Sequence, residues 1–166
     1  MGRPGSLLLL LVLAVPLAAT GGARAEPAAV AGRWAGAAEA RRAELVVTPA
    51  ARGFTVRLVV GGRRLFDAPF TPTDRQGVHE AAATGLFAIL GTRRAPANPL
   101  EGEELVWARE VPGGLVLSRL AIAAGKPMIE QARFVRSGER LVLEIRRLRG
   151  EEIEPGTVIE LTPAGG

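Results

Sequence analysis

A chain of 166 residues with a formal net charge of +4, no cysteine and one histidine is bounded before any motif is read. Disulfides and cysteine-held metals are excluded, and the length suits one domain with a core of its own. Acidic and basic residues are interleaved and aromatic residues are few, so no nucleic-acid footprint is present.

The N-terminus carries a secretory signal pattern. Arg3 precedes an apolar run from Leu7 to Leu17, interrupted by Pro16, and Ala23-Arg24-Ala25 supplies the small-x-small cleavage pattern. The run is too short for a comfortable transmembrane anchor, which needs about 20 residues. Cleavage near Ala25 is expected, with an uncleaved anchor as the alternative, dividing the chain into a signal peptide, residues 1–25, and a single domain, residues 26–166. Losing Arg3 and Arg24 lowers the net charge to +2. Arginine far outnumbers lysine, and Ala, Gly and Pro are abundant, a composition of GC-rich bacterial coding, so the expected destination is the periplasm or the exterior.

Past the signal, short alternating segments are punctuated by Gly, Pro and Asp. Residues 39–44 suit a helix by propensity, although a turn between strands fits the surroundings better. Phe54, Val56, Leu58 and Val60 share one face of a strand that ends at Gly61-Gly62, a hairpin signal. Leu65 to Ala68 leads toward Pro69 and Pro72. Thr84 to Gly91 is an apolar stretch, either a buried strand or a short helix, followed by a loop of about 12 residues, long for a compact β domain. Leu86, Phe87 and Ile89 are expected to form a portal or lid there.

Leu105 and Trp107 lie in one phase of the next segment, and Pro112-Gly113-Gly114 turns into a strand from Leu115 to Ala123. A strand from Pro127 to Val135, a turn at 137–139 and a strand from Arg140 to Leu148 follow. Leu141, Leu143 and Ile145 share one side of the last of these. Residues 150–155 read as a loop before a final strand, Thr157 to Leu161. The count is eight to ten strands with no ordinary amphipathic helix between them. The expected class is all-β, an antiparallel up-and-down barrel with one short helix or loop insertion; a sandwich is the other way to hide the edges.

Gly32-Arg33-Trp34, just after the expected mature N-terminus, resembles the first-strand Gly-x-Trp motif of lipocalins and related calycin barrels. The resemblance implies an up-and-down barrel with a ligand cavity. It also implies that Trp34, with Gly32, closes one end, packed on an arginine from near the last strand. Arg146, Arg147 and Arg149 are the arginines near that place. A Thr-Asp-Tyr-like motif near the seventh strand, also usual in the family, has no counterpart in this tyrosine-free chain. The C-terminal half is similar to exported proteins of Gram-negative bacteria whose activity is uncharacterised.

Catalytic candidates are weak. His79 beside Glu80 has no second histidine or cysteine to complete a metal site, and Ser118 and Ser137 lie in no nucleophile elbow. Glu101, Glu103 and Glu104 read as a hydrated loop. No enzyme, metal or cofactor is expected. Arginines in apolar phases are more telling. Arg119 continues Leu115 and Leu117, Arg147 continues Leu141, Leu143 and Ile145, and Arg133 is read in phase with Ile129, Gln131 and Val135. Facing one lumen, these three would hold an anionic head group; at strand ends they would snorkel to water or pair with glutamate. The ligand wall is expected to include Phe54, Val56, Leu58, Leu105, Trp107, Leu117 and Leu143. The expected function is non-enzymatic binding of a small apolar or amphiphilic ligand; the alternative is an envelope interaction module with a filled barrel.

Overall fold

The computed structural model describes residues 27–81 and 97–165. The expected signal peptide and the apolar stretch with Leu86, Phe87 and Ile89 lie outside them. A 3-10 turn, Pro27–Val30, leads into five strands: β1 Gly32–Ala38, β2 Arg41–Pro49, β3 Phe54–Val60, β4 Arg63–Pro72 and β5 Val78–Ala81. A second 3-10 turn, Pro99–Glu101, precedes β6 Leu105–Val111, β7 Gly114–Ala123, β8 Lys126–Ser137, β9 Arg140–Arg149 and β10 Glu152–Pro163. Each strand pairs antiparallel with its neighbours in sequence, and β1 pairs with β10, so the sheet closes into an up-and-down barrel of ten strands. Closure removes the sheet edges that a sandwich would leave to be covered.

The turns explain the meander. Gly61 and Gly62 both have positive φ, +58° and +77°, the backbone that a two-residue hairpin turn needs. Residues 39–44 are a turn at Glu39-Ala40 followed by the start of β2, as their surroundings favour over their helix propensity. Residues 150–155 differ from the expected loop: only Gly150-Glu151 turns, and β10 already begins at Glu152. Its register against β9 shifts between Glu154 and Thr157. Pro155 has no N–H to give the ladder, so the strand bulges there and continues rather than ending.

Alternation decides what lies inside. Phe54, Val56, Leu58 and Val60 of β3 are buried, as are Leu141, Leu143 and Ile145 of β9. Leu45, Phe70, Leu115, Leu117, Phe134, Ile159 and Leu161 meet them in the lumen with essentially no exposure. Phe54 and Phe70 stack with ring centroids 5.4 Å apart. These side chains fill the barrel over most of its height. The seam between β1 and β10 is short, with Trp34 opposite Pro163 and Ala35 opposite Thr162.

Candidate functional site

An up-and-down topology sorts the turns to two ends. The β1–β2, β3–β4, β7–β8 and β9–β10 turns ring one end, the mouth; the Pro27–Val30 turn and the β8–β9 turn lie at the other, the base. Just below the mouth the apolar lumen gives way to charge. Arg119 of β7, Glu130 of β8 and Arg147 of β9 are directly opposite one another in register. Each continues a buried apolar phase: Leu115 and Leu117, Ala132 and Phe134, Leu143 and Ile145.

Glu130 is 1% exposed, and three guanidinium groups converge on it. Its Oε1 accepts from Arg147 Nε at 2.7 Å and from Arg63 Nη2 at 2.6 Å, while Oε2 accepts from Arg119 Nη2. Burial alone would push the Glu130 carboxyl up. The hydrogen bond from Arg147, the charge and hydrogen bond of Arg119 and the charge of Arg63 outweigh it and hold the group below its ordinary value. A buried carboxylate is tolerated only with such compensation. At the rim, Glu104 lies 3.6 Å from Arg119 and Glu154 lies 3.8 Å from Arg147. The Arg119 guanidinium also sits over the Phe66 ring, 5.9 Å from its centroid.

Beside this group, and bordered by Arg63 and Arg147 of it, lies a cavity of about 930 Å³. Ala38, Val60, Leu65, Ile145 and Pro155 supply apolar lining, and Arg41, Arg63, Arg147, Glu39 and Glu154 supply charge. A second cavity of about 290 Å³ opens between β4 and β6, lined by Phe66, Val106 and Arg119 among others.

Of the arginines read from the sequence, Arg119 and Arg147 face the lumen together, but Arg133 does not. Its side chain is 55% exposed and lies 4.0 Å from Glu144 on the outer face. The inward phase of β8 is Glu130, Ala132 and Phe134, the opposite of the one containing Ile129 and Gln131. Trp107 and Leu105 are likewise half-buried on the outward phase of β6, because Ala108, fully buried, takes the inward one. Phe54, Val56, Leu58, Leu117 and Leu143 face inward, but none lines the 930 Å³ cavity. They belong to the packed core.

Three residues of the site escaped the sequence reading. Glu130 was legible through Phe134 and Ala132, and through the need of inward arginines for a carboxylate. Arg63 was hidden by a register irregularity between Leu58 and Val59 that breaks the alternation of β4. Arg41 lay in the segment whose helical propensity competed with its strand.

The base is closed by Trp34, which is buried and donates from Nε1 to the Val30 carbonyl at 3.0 Å. The cation over its ring is Arg136 of β8, 5.9 Å from the ring centroid, and not Arg146, Arg147 or Arg149. Those three lie toward the mouth end of β9, far along the strand from Trp34. Arg136 also donates to the carbonyls of Ala29 at 3.2 Å and Gly138 at 3.0 Å, tying the first turn to the β8–β9 hairpin.

His79 is buried on β5, its ring edge-on to Phe54 at 4.9 Å between centroids and its Nε2 3.6 Å from Glu110 Oε1. Its Nδ1 has no partner among the described residues. Burial pushes the imidazole below its ordinary value, against the opposing pull of Glu110. Among the described residues, no cluster of His, Asp and Glu has the arrangement of a metal site. No helix among them is long and apolar enough to cross a membrane.

No family model, curated protein or solved structure matches this chain.

Proposed function

We propose that this protein is an exported, non-enzymatic binding protein that takes a small amphiphilic molecule at the mouth of its barrel. The observation that carries this reading is the 930 Å³ cavity, whose apolar lining by Val60, Leu65 and Ile145 adjoins a fixed group of arginines. Ligand sites combine apolar walls with a few placed polar groups in this way. Because the lumen below is filled, this reading puts the ligand at the rim and not against the inner wall expected from the sequence. The lipocalin-like reading is supported at the base, where Trp34 is capped by a turn and covered by an arginine. The arginine comes from β8 rather than from near the last strand. Export rests on the Leu7 to Ala25 segment.

One observation favours a second reading. A lumen packed with Leu45, Leu117, Phe134 and Leu143 is also what an envelope interaction module with no small-molecule ligand would have. Native mass spectrometry of the protein purified from its own cell envelope separates the two. The binding protein is expected to carry a co-purified small molecule that is lost in Ala38→Trp, which fills the cavity. A bare chain in both preparations supports the interaction module.

A further inference from the structure

We propose that the mouth selects ligands by an anionic head group, held by Arg41 and by Arg63, which also holds the protein's own carboxylate, Glu130. This rests on reading the mouth as the ligand site. Four arginines at the mouth, Arg41, Arg63, Arg119 and Arg147, are not equally engaged. Arg119 and Arg147 each reach a second carboxylate, Glu104 and Glu154, in addition to Glu130. Among the described residues Arg63 reaches only Glu130, and through an oxygen that it shares with Arg147. Arg41 pairs with no carboxylate among the described residues; its Nη1 donates to Thr157 Oγ1 at 3.2 Å.

Arg41 and Arg63 both line the cavity, and the Arg63 side chain is 55% exposed. A guanidinium carries five N–H donors, so each keeps most of its capacity for a further acceptor. The acidic residues of the lining compete little for it. Glu39 stands on an exposed turn and Glu154 is drawn to Arg147. Two underused guanidinium groups beside an apolar wall fit a carboxylate or phosphate on an apolar body, since both anions accept paired N–H bonds. A neutral head group gains no charge-assisted bond there, and a cationic one meets repulsion.

The test is isothermal titration calorimetry of the mature chain with lauric acid, lauryl phosphate and lauryl alcohol. Both anions are expected to bind at least about tenfold more tightly than the alcohol. Arg63→Gln should lower affinity for the anions by roughly tenfold and leave that for the alcohol unchanged, with partial recovery in Arg63→Lys. The stronger of the two anions identifies carboxylate or phosphate as the preferred head. If acid, phosphate and alcohol bind equally and Arg63→Gln alters none of them, the head-group inference is overturned while the mouth stands as a binding site. If no amphiphile binds, the reading of the mouth fails, and the inference with it. A thermal melt of Arg63→Gln, which leaves Arg119 and Arg147 on Glu130, is expected to be lowered but still cooperative, with the chain folded at the titration temperature, and this separates lost recognition from lost folding.

Discussion

Two buried ionisable side chains, Glu130 and His79, control how this barrel responds to acid. Both have folded-state values held below their ordinary ones, so each favours folding most above its unfolded value and loses that contribution as pH falls. For His79 the loss begins below about pH 6.5, where the unfolded chain takes a proton that the buried imidazole resists. For Glu130 it begins below about pH 4.5, as protonation removes the charge shared by Arg63, Arg119 and Arg147. Stability followed by urea denaturation is therefore expected to fall in two stages. His79→Gln should abolish the upper stage and leave the lower one. An upper stage unchanged in that variant would assign it to other groups. At this scale the sequence was half legible. Alternation placed Arg119 and Arg147, because long regular strands carry them. It misplaced Arg133 because β8 has apolar residues on both faces: Ile129 and Val135 outside, Ala132 and Phe134 inside.

Among the elements, the β1–β10 seam is the one on which closure depends. Gly36 lies where β1 meets β10, and a Cβ added there would come within 2.0 Å of the Glu160 carbonyl oxygen. That approach is tighter than any side chain permits, so glycine is required by contact rather than by φ. Thr162 Oγ1 donates to the Ala35 carbonyl at 3.3 Å and Ala164 N to the Arg33 carbonyl at 2.9 Å, holding the rest of the seam. Gly36→Val is expected to cost on the order of 2–4 kcal/mol and to speed amide exchange in β1 and β10 before other strands. Uniform exchange across all strands would contradict a local seam. Hairpins were readable from Gly61-Gly62 and Pro112-Gly113 because turn chemistry is local. The register of β1 on β10 was not, since strands so far apart in sequence share no turn to fix it. Nor was the Arg136–Trp34 contact, which joins the first strand to the eighth.

As a whole molecule, the described barrel divides into a packed base and lumen and a charged mouth. The sequence conveyed the class, all-β and closed, because period-two segments with short turns leave few other ways to hide edges. It did not convey the division, because an inward leucine that packs against other leucines and one that lines a ligand cavity have the same phase. The proposed function requires a ligand at the mouth and a lumen below that stays closed. Methyl-resolved NMR of the mature chain titrated with lauric acid tests that most directly. Shifts confined to Val60, Leu65 and Ile145, with Leu45, Leu117 and Leu143 unmoved, are the predicted result. Shifts centred on Leu45, Leu117 and Leu143 would place the ligand in the lumen and contradict it.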